Sequence, residues 1–213
     1  SVTNARNLAT FVKEQDFRQH PDLLLYKLFG GARVEEVQPQ IKDASYRPYL
    51  PGSSLKGALR TAIIDMALLN DGYQIDVRRL EGRAKFAGRE IEQEVAGRGP
   101  RPHQAPNYDL FRALHIADSQ PVMERDCLRL CNVAVWASSS KPSIPIDVET
   151  VAQDTVFATE MTLDTHLFAQ SQLGLSEKRG LLENMAEACR TRASQRIEQE
   201  LDFFTRRNLQ PLQ

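Results

Sequence analysis

The sequence predicts an α+β fold, and three runs of residues carry that prediction. Leu55, Ala58, Leu59, Ala62, Ile63 and Met66 recur at steps of three and four, the spacing of one helical face. Phe157, Thr159, Met161 and Leu163 alternate with Val156, Ala158, Glu160 and Thr162, the period-two pattern of a strand. Leu182, Met185, Cys189, Ile197, Leu201 and Phe204 keep a helical stripe almost to Arg207, so a long helix closes the pattern.

The remaining elements follow in chain order. Leu8, Phe11, Val12 and Gln15 place a short amphipathic helix over Asn4 to Phe17, ended by His20-Pro21. A second short helix is expected from Asp22 to Phe29, stopped by Gly30-Gly31. Arg33 to Tyr46 has no clean period. The run from Arg47 to Ser54 is a compact set of turn formers that leads into the helix at Leu55, with Ser53 or Ser54 as N-cap and Asn70-Asp71-Gly72 as the stop. Residues 74–104, rich in Arg, Glu and Gly, read as a mobile insertion with a helical centre near Arg89–Val95 and a loop at Gly97–Pro102. Asp109–Leu114 is expected to make a helical turn feeding a strand at His115–Ser119. Cys127–Trp136 and Ile144–Val148 read as two further strands. With turn formers at Ser138–Pro145 and Gln153-Asp154, the three later strands are expected to run as an antiparallel meander in a single domain.

Composition restricts the function classes. The net charge is −1, from 27 Lys and Arg against 28 Asp and Glu, so binding to a nucleic acid needs a local basic face or basic neighbours. Cys127, Cys131 and Cys189 are an odd set with poor zinc spacing, which fits small thiols in a reducing cytoplasm better than a disulfide framework or a metal site. His20, His103 and His166 are scattered, and no metal or cofactor is expected. No apolar run reaches the ~18 residues of a membrane span. The polar opening at Ser1 reads like the middle of a longer protein.

The segment with chemistry is Pro51–Arg60. A Gly/Ser turn delivers a helix whose first amides are unpaired and whose end is partially positive, a site suited to phosphate. Ser53 and Ser54 add hydroxyls, Gly52 allows close approach, and Lys56 and Arg60 share one helical face, with Leu55, Leu59 and Ile63 expected opposite them. Arg47, just before the turn, joins the set. Such a site grips a phosphodiester backbone without reading bases. A nucleotide-binding P-loop is excluded, because that motif needs Lys and then Ser or Thr after its second glycine, whereas Ala58 and Leu59 follow Gly57.

Tyr49-Leu50-Pro51-Gly52-Ser53-Ser54-Leu55-Lys56-Gly57-Ala58-Leu59-Arg60-Thr61 resembles the signature of the RAMP superfamily of CRISPR type III proteins. Asp109–Arg112 through Ile116–Ser119, and Pro145–Thr150 with Thr155–Phe157, are similar to its branch of fifth subunits of the Csm complex, which sit near the 3′ end of the crRNA. The resemblance implies a ferredoxin-like, RRM-related core with helical insertions. It also implies a non-catalytic type III-A subunit that binds crRNA, helps crRNA maturation and stacks on backbone and small effector subunits. On that resemblance Lys56 and Arg60 would meet RNA phosphates, with Gly52, Ser53 and Ser54 shaping the approach. The family's early strand and late glycine-rich loop are not visible in this sequence, so a piece of a longer subunit is expected.

An RNA-cleaving RAMP enzyme is the alternative. His115 and Asp118, three apart, are its candidates, though a histidine between Leu114 and Ile116 reads more simply as packed, and Asp118-Ser119 as a strand-ending turn. An interaction module without RNA contact is the third reading. Asp147 and Glu149 suit a cation, but a solvated strand face is the simpler account. Lys85, Arg98 and Arg101 form a second basic candidate. Trp136 and Tyr49 are stacking candidates, with a core position favoured for Trp136.

Overall fold

The computed structural model describes residues 13–30, 36–70, 72, 76, 78, 80, 86–134 and 146–207. Helix α1 (Glu14–Gln19) ends at His20, where Pro21 starts a short 3-10 turn. The second helix expected up to Phe29 does not form. The chain is extended there, and Phe29 bridges Arg129. β1 (Val37–Gln38) lies where no period marked an element, because two residues carry no pattern. Helix α2 (Gly52–Asn70) is the expected amphipathic helix. Helix α3 (Arg89–Ala96) follows, and 3-10 turns at Pro102–Tyr108 and Leu110–Ala113 feed β2 (Leu114–Ile116) as expected. Next come α4 (Glu124–Cys127), β3 (Leu128–Val133), β4 (Ile146–Val151), β5 (Met161–Leu163) and α5 (His166–Ala169). The closing stripe forms as α6 (Arg179–Glu183) and α7 (Met185–Arg206), broken at Asn184. Leu8, Phe11, Val12, Lys85, Trp136 and the turn at 138–145 lie outside the described residues.

The chain divides into two compact units: residues 1–49 with 120–157, and 50–119 with 158–213. The first unit holds a three-stranded sheet of order β1-β4-β3. β3 and β4 pair antiparallel as expected, from Leu128 opposite Val151 to Val133 opposite Ile146, and β1 adds in parallel. The meander goes no further. Asp154 adopts a left-handed conformation, and both the N–H and the hydroxyl of Thr155 donate back to the Ala152 carbonyl, at 3.3 and 2.7 Å. That turn takes the chain out of the ladder. The strand expected over 155–164 is therefore trimmed to β5, which pairs with β2 in the second unit. Among the described residues the five strands make two sheets, and no single four-stranded sheet.

Glu149 of β4 is the polar centre of the first unit. Its side chain is 2% exposed and accepts from the Tyr26 hydroxyl, from the Gln40 N–H at 2.8 Å and from Lys42 Nζ, with which it forms an ion pair. The solvated strand face anticipated for Glu149 is thus a buried, fully bonded carboxylate. Burial opposes its charge, but the bonds from Lys42, Tyr26 and the Gln40 amide outweigh that and hold the carboxyl below its ordinary pKa.

In the second unit Ala62, Ile63 and Ile64 of α2 pack with Ala96, Leu110, Phe111, Leu114, Leu167, Phe168, Leu182 and Ala188. Asp65 of α2 pairs with Arg192 of α7 across the helix contact. The described part of the expected mobile insertion contributes to this packing: Ile91 and Ala96 of α3 are buried, and Lys178 donates to the last-turn carbonyls of Glu94 and Val95 at 2.6 and 2.7 Å. Desolvation there lowers the Lys178 pKa.

Candidate nucleic-acid interface

The start of α2 is built against the end of β2. The Gly52 N–H donates to Asp118 Oδ1 at 2.8 Å. The Leu50 N–H donates to the Ser119 hydroxyl at 2.8 Å, and the Ser119 N–H returns a bond to the Leu50 carbonyl at 2.9 Å. Two consecutive residues therefore staple the Leu50–Gly52 entry to the strand end. Gly52 is obligatory in this staple, since a Cβ there would lie 2.2 Å from the Ile116 carbonyl oxygen and 2.8 Å from the backbone of Ala117. The cap expected from Ser53 or Ser54 comes from Asp118 instead, because the helix already starts at Gly52 and leaves both serines exposed in its first turn.

This cap changes how the helix end meets an anion. The Asp118 carboxylate takes the Gly52 amide, and the Pro51 carbonyl accepts from Ser54 and Leu55 at 3.0 and 3.2 Å. Of the first-turn amides, the Ser53 N–H alone keeps no protein partner among the described residues. Asp118 is thereby a positioning residue, a role that the reading of Asp118-Ser119 as a strand-ending turn did not include. Asp118→Ala is expected to cost about 1 kcal/mol of stability, and Asp118→Asn, which keeps the acceptor, much less. Urea unfolding followed by circular dichroism measures both, and equal losses in the two variants would contradict the cap assignment.

Beside the Ser53 amide lies a surface cavity of about 470 Å³, lined by Gly52, Ser53 and Lys56 of α2 and by residues of β2 and the chain around β5. His115 and Thr162, opposite each other in the β2–β5 ladder, supply an imidazole and a hydroxyl, and Glu160 supplies a carboxylate. His115 is exposed, not packed as its apolar neighbours suggested. The strand alternation explains this: Leu114 is buried, so the next residue points the other way. That alternation was the signal in the sequence that could have placed His115 in a groove. Thr162 carried no comparable signal, because its strand partner was not legible.

Lys56 is half-buried, and among the described residues it forms no ion pair or hydrogen bond. Arg60 is different. Its guanidinium bonds Asp109 at 2.7 Å and Glu92 at 3.3 Å and lies 4.8 Å over the ring of Phe111. The expected pair of free cations is therefore one free cation and one that is neutralised within the protein. Helix geometry gives the reason. Positions 56, 60, 63 and 67 fall on one stripe, so both basic residues continue the buried face of Ile63 and Ala67 and do not oppose it. Arg60, deeper along that stripe, meets α3 and the 3-10 turn at Leu110.

Arg47 belongs to the first unit and is also engaged. Asp43 accepts from its N–H and its Nε at 2.9 Å and pairs with its second guanidinium nitrogen at 2.7 Å, closing the turn at Tyr46. These bonds hold the Asp43 carboxyl below its ordinary pKa. Of the six anticipated binding residues, then, Gly52, Ser53, Ser54 and Lys56 share the end of α2, while Arg47 and Arg60 serve internal ion pairs. Among the described residues no group of three His, Cys, Asp or Glu is placed to hold a metal ion. No described helix is long and apolar enough to cross a membrane.

Residues 24–193 match the model of the RAMP superfamily. The CRISPR system Cms protein Csm5 of Mycobacterium tuberculosis (strain H37Rv) is 30% identical over 164 residues, 72% of this chain and 42% of that protein. Its counterpart from Streptococcus thermophilus is 31% identical over 142 residues, 64% of this chain and 36% of that protein. The crystal structure of T. onnurineus Csm5 shares the fold, with a TM-score of 0.62 at 23% identity over 91% of this chain and 63% of that one. The chain spans less than half the length of the curated relatives it matches. The family match runs through the turn and helix at Pro51–Arg60, both staple residues and all five strands, so this α+β chain belongs to the RAMP superfamily and is Csm5-like within it.

Proposed function

We propose that the chain acts as a non-catalytic, crRNA-binding structural part of a CRISPR type III-A antiviral effector complex in the cytoplasm. In this reading it helps crRNA maturation and assembles with the backbone and small subunits. Its core is of the ferredoxin-like kind that its superfamily implies. Family membership and the two curated relatives support the class. The observation that carries the RNA contact is the Lys56 ammonium and the Ser53 amide, neither with a partner among the described residues, beside two exposed serine hydroxyls on the same helix end. A backbone phosphate of single-stranded RNA meets each of those donors without any base being read.

The geometry separates the two basic residues of the motif. Lys56→Ala is expected to weaken binding of a labelled single-stranded RNA about tenfold and to reduce the salt slope by about 0.7, with unfolding unchanged. Arg60→Ala is expected to cost about 1–2 kcal/mol of stability and to leave the salt slope as it is. Equal RNA binding by wild type and Lys56→Ala would remove the proposed contact.

One observation favours the second reading, an endoribonuclease. The exposed His115 shares its cavity with Lys56, and a proton-transfer group beside a phosphate-holding cation is a minimal RNA-cleaving set. Asp118, the other candidate, is turned to the Gly52 amide. Incubation of labelled RNA with and without divalent metal decides between the readings: cleavage abolished by His115→Gln would replace the non-catalytic assignment.

A further inference from the structure

The first unit carries a second groove, of about 710 Å³, that none of the binding motifs includes. Its lining combines Phe17, Tyr26 and Phe29 with Arg18, Lys27 and Arg125, against the single carboxylate of Glu124. Phe29 is 56% exposed although its backbone is fixed. The Phe29 carbonyl accepts from the Leu130 N–H at 2.9 Å, and Gly30 follows with φ of +104°, so close to the Leu130 carbonyl that a Cβ would lie 2.8 Å from it. The chain is clamped to β3 by the glycine, and the large apolar ring stays in solvent. Tyr26 is fixed from its hydroxyl by Glu149. Lys27 is exposed, and Arg125 is 72% exposed, its ion pair among the described residues being a loose 3.8 Å contact to Asp126.

An exposed aromatic side chain on a clamped backbone, in a groove lined by three cations and one carboxylate, has the composition of a surface for a flexible polyanion with flat bases. Rings offer stacking to any base, and cations follow the backbone. Three cations against one carboxylate in the lining complement a polyanion better than a protein surface of mixed charge. We infer that this groove is a second contact for single-stranded RNA, in which a base stacks on Phe29 while Lys27 and Arg125 hold adjacent phosphates. The inference rests on the reading of the chain as an RNA-binding subunit but uses residues independent of Lys56.

The test uses the full 213-residue chain and a labelled single-stranded RNA of mixed sequence. Four variants are compared: Lys56→Ala, the double variant Lys27→Ala with Arg125→Ala, Phe29→Ala, and Phe29→Trp. Phe29→Ala is expected to weaken binding about tenfold, the scale of one lost stacking contact, and the double variant to lower the salt slope by about 1.4. Phe29→Trp is expected to bind like wild type, with its added indole fluorescence quenched by RNA above any change from Trp136. If Lys56→Ala weakens binding while the groove variants bind as wild type and the indole is unquenched, the second contact is overturned and the primary reading stands. A groove that serves a protein partner gives that same result. If the groove variants lose binding and Lys56→Ala does not, the second contact stands and the α2 site falls. No RNA binding by wild type removes both.

Discussion

Glu149→Ala is expected to cost about 3–5 kcal/mol, the loss typical of a buried ion pair stripped of one member. The truncation leaves the Lys42 ammonium, whose side chain is 10% exposed, with no opposite charge, and it orphans the Tyr26 hydroxyl and the Gln40 N–H. Much of that loss is expected to return in the double variant Glu149→Leu with Lys42→Met, because apolar groups of similar volume replace both charges and remove the desolvation cost. The pH dependence follows from the shifts. The folded-state pKa of Glu149 is depressed, so its contribution is complete above the ordinary glutamate value, about 4.3, and is lost as pH falls through that value and below it. Lys42 is shifted up, its bond to Glu149 outweighing burial. Its contribution is complete below the ordinary lysine value, about 10.4, and is lost as pH rises past it. Between these limits the contribution of the pair is expected to be flat. Urea midpoints across the acid range check this: wild type loses stability toward low pH, and Glu149→Gln loses the part of that acid limb due to this group. An identical acid limb in both would contradict the network.

Gly52→Ala has the second large effect. The added methyl would sit 2.2 Å from the Ile116 carbonyl oxygen and 2.8 Å from the Ala117 carbonyl, and both are backbone atoms of a strand end with no flexible side chain to give way. Either α2 withdraws from β2 or the Asp118 cap and the Ser119 bonds break. A cost of about 3 kcal/mol is expected, at the upper end for overpacking, together with loss of RNA binding, since the Ser53 amide and Lys56 lose their shared frame. Gly57→Ala is the control. A Cβ at Gly57 meets nothing within 4 Å, and alanine favours the helix, so that variant is expected to gain up to about 1 kcal/mol. Similar behaviour of the two glycines would contradict the staple.

What the sequence made legible follows from the range of each interaction. The helical stripe of α2 and the Asp109 turn into β2 are set by neighbours a few residues away and formed as read; the antiparallel pairing of β3 with β4 also formed, but β4 runs on to Val151, beyond the Val148 expected. The site's turn and its serines were legible for the same reason. Long-range partners were not. Nothing near Arg60 announced that Asp109 and Glu92, from segments 49 and 32 residues away, would neutralise it. Nothing near Ser53 announced that its capping role would pass to Asp118. The strand expected over 155–164 failed on one residue, because the left-handed Asp154 redirects the chain and the alternating pattern beyond it has no ladder partner until Met161. Glu149 was misread because alternation along a strand assigns faces but does not reveal that a lysine and a tyrosine close over one of them.

The central claim is that Lys56, held free at the start of α2, touches an RNA phosphate. Acetylation footprinting by mass spectrometry, with and without single-stranded RNA, tests it directly. RNA is expected to protect the Lys56 amine strongly and to leave exposed Lys13 as reactive as before. Equal acetylation of Lys56 in free protein and in a demonstrated RNA complex would contradict the account.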